Sequence, residues 1–571
     1  MRPRSRNVAR PLNPAGWCLV WGATTPVKPI WQEPPLTLLG QDGASPAIAL
    51  AESPSSRYVV LGDVWLSNRA ALLHQLAIEP QDWQSDDRQL VAHLWERLGP
   101  NCLGHLLGMF ALALWDRAKQ ELWLIRDACG ACTLYYTTSG TTCWIAPQLR
   151  SLAPYHSQDL DWVALRDYLC CAFVPGDRSL WQGVRELRPG TVLRLPQHQL
   201  QTYWQPQEQL AQEAEPMEWY SQSLRGLLHQ VMGEYLPAQE PVGVFLSGGL
   251  DSSCVTALAH HLHDAPIHTY SIHFGPQTPN ELEFSGLVAQ RCQTQHHILE
   301  IPLAELWGKL PEAMAALDDP IGDPLTVPNL LLGKLANQTV QVVLNGEGGD
   351  PCFGGPKNQP MLIHSLYHHL NQQDSLQTYL LTFQKCAADL PQLLKPEIWA
   401  AVKDSPCVFG PDLQSEARYL NQLMGLNIKF KGADQILTKV NNLTRATGLQ
   451  GRSPLFDRRI VEISLGIPPE YKLRGAEEKA VLKQAVADLL PEAILRRPKS
   501  GMMVPVQLGF RQFWRKQARS LLLNRHAAIA PYLNQTLIRD WLDYRGDTWG
   551  RYGVKLWLLS SLELWLQSYR P

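Results

Sequence analysis

No stretch of this 571-residue chain is long and apolar enough to span a bilayer. The longest apolar run, Leu106 to Trp115, is about half of the ~20 residues that a crossing helix needs. Charge of one sign is also missing. The 51 basic and 53 acidic residues nearly cancel to a formal net charge of −2, which gives no general field for nucleic acid or anionic lipid. Neither nucleic acid nor membrane is expected as a partner, and small molecules are. The 12 cysteines follow no framework spacing, which in a chain this long reads as reduced thiols and a cytoplasmic protein. One pair, Cys129-Gly130-Ala131-Cys132, has a motif-like gap but no second pair to complete a zinc set, so a turn with two half-buried thiols is expected. A secretory signal is not expected either. The opening MRPRSRNVARPLNPAGWCLVWG carries four arginines in its first ten residues, then an apolar stretch too short and Trp-rich for a signal core, with no small-residue cleavage pattern. Residues 1–15 read as a disordered basic leader, with an organelle transit peptide as the alternative. No internal repeat is visible.

The length exceeds what one hydrophobic core holds, so at least two domains are expected. From Tyr58 to Tyr203, short apolar runs cut by polar pairs (YVVLGDVWL, FALALWD, ELWLIRD, TCWIAP, TVLRL) alternate at period two and imply antiparallel strands, with SDDRQLVAHLWERLG a helix among them. This makes residues 16–203 an α+β, layered β domain. The polar, Gln/Glu-rich segment 204–219 reads as a linker. After it, strands VGVFL, IHTYSIHF, HHILEI and VQVVL alternate with helices beginning near Ser253 and Glu281, which implies an α/β domain with a parallel sheet over 220–571. Beyond Pro360 the pattern is mostly helical.

The segment VGVFLSGGLDSSCV, Val242 to Val255, places a Gly-rich turn at the end of a buried strand. In an open parallel sheet, ligands bind at the carboxyl ends of strands, where the next helix presents free N–H groups. Ser247, Gly248, Gly249, Ser252 and Ser253 offer backbone and hydroxyl donors suited to a pyrophosphate. Asp251 is repulsive there unless a divalent cation intervenes, which suggests Mg²⁺; as an N-cap it would carry no chemistry. A second strand end, VVLNGEGGD, adds Glu347 and Asp350 beside Gly346. Two acidic loops at strand ends could converge on one cation and one reacting centre.

With SGGLDSS, then GEGGDPCFGG, then SPLFDRRIVEISLGIPPEYKLRG and LPEAILRRPKSG, the chain resembles the asparagine synthetase B family of ATP pyrophosphatases. GDVWLSNRAALL, SDDRQLVAHLWERLGPNCLGHLLGMFALALWD and LWLIRDACGACTLYY are similar to that family's N-terminal class II glutaminase half, an Ntn-hydrolase-like fold, so the likeness covers almost the whole chain. It implies a ligase that uses ATP and Mg²⁺ to adenylate a substrate carboxylate, releases pyrophosphate, and lets a nitrogen nucleophile displace AMP. Asparagine biosynthesis is the leading activity. Position by position, the resemblance assigns Ser247, Gly248, Gly249, Asp251, Ser252 and Ser253 to the pyrophosphate loop and Asp251 and Asp350 to the metal. Phe245, Leu246, Ile272 and Gly346 fall to the nucleotide pocket, Glu347 to the reacting acyl group, and Lys479 and Lys499 to the departing phosphates.

The chain departs from the family in specific places. The family's glutaminase uses a cysteine at residue 2, where Arg2 stands here; Cys18 in CLVWG aligns with that strand but would become N-terminal only after loss of 17 residues. The Asn-Gly pair of the oxyanion hole corresponds to Gly62-Asp63, so an inactive glutaminase is expected. In the synthetase half, Pro351 replaces an acidic residue and Gln450 replaces the glutamate of an EAR motif ending here in Gly451-Arg452. These changes leave open a small-molecule or a peptide carboxylate as substrate, ammonia or a substrate amine as nitrogen donor, and a homodimer. They also leave room for lasso-peptide cyclase or β-lactam synthetase chemistry, although the latter family carries tyrosine where Glu347 stands, and for a catalytically silent binding scaffold.

Overall fold

The computed structural model describes residues 16–22, 29–40, 50–80, 83, 85–276, 278–355, 361, 372–497, 503–545 and 551–569; the leader read at 1–15 and Lys499 lie outside them. Among the described residues the N-terminal unit has twelve strands: β1 Trp17–Trp21, β2 Trp31–Glu33, β3 Leu36–Gly40, β4 Ala51–Glu52, β5 Tyr58–Leu66, β6 Gly108–Asp116, β7 Glu121–Arg126, β8 Tyr135–Ser139, β9 Thr142–Ala146, β10 Val184–Glu186, β11 Thr191–Leu195 and β12 Gln199–Thr202. They form two six-stranded sheets, ordered β10-β8-β9-β1-β3-β2 and β12-β11-β7-β6-β5-β4, with every pairing antiparallel.

Period-two alternation explains the layers. Trp17, Leu19 and Trp21 of β1 point toward Leu61, Ala111 and Trp115 of the other sheet, and Trp21 meets Trp115 edge to face at 5.7 Å. The opposite face of the second sheet, with Val60, Phe110, Leu112 and Leu114, is covered by helix Asp87–Leu98 through Leu90, Leu94 and Trp95. That helix starts where expected because the Asp86 carboxylate accepts from the N–H groups of Arg88 and Gln89. The outer face of the first sheet, with Cys18, Val20 and Tyr135, packs on helix Trp162–Cys171 and merges with the core of the C-terminal region.

The second unit holds a parallel sheet, β15-β14-β13-β16-β17, made of β13 Val242–Phe245, β14 Ile267–His273, β15 Gln295–Glu300, β16 Val342–Leu344 and β17 Gln450–Arg452. Helices Met217–Tyr235 and Leu250–Leu262 share one core with β13 and β16. Helices Leu303–Ala315 and Thr326–Ala336 belong to another with Tyr270 and Ile272, and helix Tyr552–Tyr569 closes it with fully buried Trp557 and Trp565. The fold class is therefore the expected one. The polar segment from 204 is tied along the second unit: Trp204 Nε1 donates to Glu462 at 2.7 Å, Asn421 Nδ2 donates to Glu208 at 2.5 Å, and helix Met217–Tyr235 begins within the span read as linker. Among the described residues, no helix is long and apolar enough to cross a membrane.

Candidate active site

The end of β13 runs through Leu246 into a turn that is held together from within. Ser252 Oγ accepts the N–H of Ser247 at 3.2 Å, lies 3.1 Å from Ser247 Oγ and donates to the Gly249 carbonyl at 3.2 Å. Gly248 adopts φ +80°, and a Cβ there would lie 2.6 Å from the Ser285 nitrogen, so the turn requires glycine. Helix Leu250–Leu262 starts earlier than the expected Ser253, with Gly249 as its cap, so Asp251 sits in the first turn and does not cap. Ser253 Oγ is buried without a hydrogen-bond partner among the described residues. Phosphate oxygens would satisfy such an orphaned donor beside free helix N–H groups, so this turn fits the triphosphate of ATP.

The second turn docks onto the first. Gly346 leaves no room for a side chain, since its Cβ would lie 2.5 Å from the Ser252 nitrogen, and a Cβ on Gly349 would lie 2.1 Å from Asp251 Oδ1. This close approach brings Asp251 and Asp350 onto one cation, the ammonium of Lys479, which lies 2.5 Å from Asp251 Oδ2 and 2.6 Å from Asp350 Oδ1. Lys479 is 3% exposed and has φ +56°, a left-handed backbone that a lysine adopts at a cost of order 1–2 kcal/mol. Burial opposes its charge, but Asp251 and Asp350 outweigh burial and hold its pKa above the ordinary lysine value. Two carboxylates that converge on one cation are a hard-oxygen donor set suited to Mg²⁺ together with phosphate oxygens.

Glu347 sits in a different subset. Its N–H donates to Asn345 Oδ1 at 3.0 Å, and its charge acts on Lys439. Lys439 is buried and paired with Asp323 at 2.6 Å. Of the residues expected at the nucleotide pocket, Phe245 is part-exposed at the strand end, whereas Leu246 and Ile272 are buried in the two cores on either side of the sheet.

Sequence reasoning passed over Arg497, the neighbour of the lysine motif. Its guanidinium donates to the Gly248 carbonyl at 3.0 Å, pairs with Glu281 and lies 3.9 Å from the ring centre of Phe284. It therefore grips the Ser247–Gly249 turn directly. Nothing in RRPKSG distinguishes it from Arg496, which is exposed and pairs with Glu492 one turn earlier. Asn345, Lys439 and Asp323 were also missed; the asparagine that directly follows an apolar strand was the one local signal.

The cysteines of the N-terminal unit are all buried. Cys18 lies inside β1, opposite Leu39 of β3 in the antiparallel register, and is 3% exposed. Burial pushes its thiol up to about 12. Asp63 is in β5, and burial raises its carboxyl pKa although Arg445 and Arg88 draw it down. The Cys129–Cys132 segment wraps Asp127, whose carboxylate accepts the N–H groups of Gly130, Ala131 and Cys132 at 2.7, 3.0 and 3.0 Å. Its thiols are buried outright, not half-buried, and burial raises both.

Two family profiles cover most of the chain: asparagine synthase at residues 223–567 and a glutamine amidotransferase domain at 39–204, which begins beyond Cys18. The chain is 23% identical over 548 residues to asparagine synthetase [glutamine-hydrolyzing] 1 of Bacillus subtilis, covering 89% of this chain and 85% of that protein. It is 27% identical over 515 residues to amidase chyE of Penicillium rubens, covering 77% and 75%. Among solved structures, glutamine phosphoribosylpyrophosphate amidotransferase from B. subtilis with ADP and GMP matches at a TM-score of 0.24 and 13% identity, over 51% of this chain and 85% of that one. An asparagine synthase region that spans more than half of the residues, carried behind an amidotransferase domain, makes this chain a member of the asparagine synthetase family and an ATP-dependent ligase.

Proposed function

We propose that the protein is an AMP-forming carbon–nitrogen ligase, with asparagine formation as its leading activity. A carboxylate oxygen of the substrate attacks the α-phosphorus of ATP, the bond to the pyrophosphate oxygen breaks, and an acyl-adenylate results. An amine nitrogen then attacks the acyl carbon, gives its proton to Glu347, and AMP leaves. The observation that carries this reading is the convergence of Asp251 and Asp350 on Lys479 at the mouth of the Ser247–Gly249 turn.

In this reading, backbone and hydroxyl donors of Ser247, Gly248, Gly249, Ser252 and Ser253 bind the pyrophosphate, while the part-exposed Phe245 walls the nucleoside and Leu246, Ile272 and Gly346 contribute backbone alone. Mg²⁺, held by Asp251 and Asp350, would neutralise phosphate charge when bound. The ammonium of Lys479 is fixed before the reaction, so it faces the charge that builds on the leaving oxygen without having to reorganise. Lys499 is assigned the same task on the departing phosphates. The nitrogen comes in this reading from ammonia or from an amine on the substrate, because the Cys18 thiol is buried inside β1 and burial raises its pKa.

The test is isotopic. L-aspartate labelled with ¹⁸O in its carboxylates, supplied with ATP, Mg²⁺ and ammonium, should transfer one ¹⁸O to AMP while asparagine forms. Unlabelled AMP alongside labelled asparagine would overturn the adenylate.

A further inference from the structure

The turn that carries Glu347 hangs on a neighbouring strand through one residue. Asn345, whose side-chain oxygen holds the Glu347 N–H, donates its own N–H and its Nδ2 to the Arg452 carbonyl at 3.1 and 3.2 Å. Arg452 ends β17, the edge strand of the parallel sheet. Its side chain is buried, and its donors go to neutral acceptors: Gln450 Oε1 at 3.2 and 2.6 Å and the Tyr235 carbonyl at 2.5 Å. The face of the guanidinium is covered by Trp65 of β5, at 4.2 Å from the ring centre. Trp65 is itself set edge-on to Tyr235 at 5.0 Å and sits opposite Met109 in the β5–β6 ladder.

A buried cation needs compensation, from a counter-charge or from oriented dipoles and an aromatic face. At Arg452 the hydrogen-bond partners supply no charge, because position 450 is glutamine. Burial accordingly lowers the guanidinium pKa to about 9. The N-terminal unit thus helps to keep Arg452, and the turn suspended from it, in place through the aromatic face of Trp65 in direct contact and, without a hydrogen bond, through the charge of Asp87. The Ser247–Gly249 turn, although the second turn docks on it, has ties of its own through Arg497 and Ser252.

We propose that Trp65 is a positioning residue for Glu347, so that the N-terminal unit acts on the synthetase site as a clamp, irrespective of any glutamine chemistry. The role of Glu347 rests on the ligase reading above; the mechanical link does not. The experiment therefore reads both, using the full chain with Trp65→Leu, Trp65→Phe and Arg452→Lys, the last because lysine lacks the planar fork that reaches Gln450 and Tyr235 together.

Amide hydrogens of Asn345 and Glu347 should exchange roughly tenfold faster in Trp65→Leu and Arg452→Lys, the fold-change matching loss of a buried cation–π contact. Amides of Ser247 to Ser253 should be unchanged. In the AMP-forming assay, kcat should fall by roughly tenfold or more through misplacement, with KM for ATP nearly constant, and Trp65→Phe, which keeps a ring, should restore most of both. Wild-type exchange at Asn345 and Glu347 in whichever of the two disruptive variants folds would overturn the proposal. A wild-type protein that forms no AMP would sink the ligase reading alone, because the exchange measurement still decides the link.

Discussion

Lys479 and Asp251, 228 positions apart in the chain, meet at 2.5 Å, and the same ammonium reaches Asp350 at 2.6 Å. One buried cation thus fastens the C-terminal helical region to both Gly-rich turns. Lys479→Met should lower the rate of AMP formation by roughly 10²-fold or more, the loss typical of one preorganised charge donor. It should also reduce stability by about 3 kcal/mol in urea unfolding, because two part-buried carboxylates lose their counter-charge. Near-normal turnover would mean that Lys479 only holds the turns together.

Arg497 couples a planar donor fork to an aromatic face, so lysine is not a conservative replacement. In Arg497→Lys, KM for ATP should rise roughly tenfold through loss of the charge-assisted hydrogen bond and the stacked contact, with a smaller change in kcat. Steady-state kinetics at varied ATP measures this split.

Cys18 should be dispensable. A thiol pushed up to about 12 inside a β-strand cannot serve as the nucleophile of a glutaminase, whose base is the cysteine's own α-amino group. Glutamine should release no glutamate, and Cys18→Ala should leave ammonia-dependent synthesis unchanged. Glutamate release that disappears in Cys18→Ala, from a chain whose mass shows it to begin at Cys18, would contradict this.

Lys472 introduces a pH dependence of stability. It is fully buried, its Nζ donates to Asn421 Oδ1 at 2.5 Å, and burial lowers its pKa to about 7. A folded-state value below the unfolded value of ~10.4 means that the unfolded chain binds the extra proton between the two. Its contribution is fully present above the unfolded pKa and is lost as pH falls through about 7. Urea unfolding should therefore show stability rising from pH 7 to 9, and Lys472→Met should flatten that slope.

How much could be read from the chain follows from where the signals are local. Strands β13, β14 and β16 announced themselves because each is a buried run that reaches a glycine within a few residues, and SGGLDSS and GEGGD marked the turns. β17 did not: Gln450, Gly451 and Arg452 form a three-residue polar edge whose pairing with Val342 to Leu344 comes from across the sheet. The helix Asp87–Leu98 was legible through its cap and its apolar stripe, whereas the segment from Trp204 was legible only in its composition. Its Glu and Gln residues read as a linker without showing what they touch, and Glu208 binds Asn421, the residue that also accepts from Lys472. Arg497, Trp65 and the Lys439–Asp323 pair lay out of reach because each acts through a partner more than a hundred positions away, and no local pattern sets one arginine or tryptophan apart from the next.

The central claim is that ATP is cleaved between the α- and β-phosphates at the turn where Asp251, Asp350 and Lys479 converge. Phosphorus NMR of ATP and Mg²⁺ turned over by the full-length protein, with L-aspartate and ammonium as the first substrates, tests it most directly. The account predicts AMP and pyrophosphate in equal amounts, both abolished in Asp350→Asn. ADP and inorganic phosphate as the main products would contradict it.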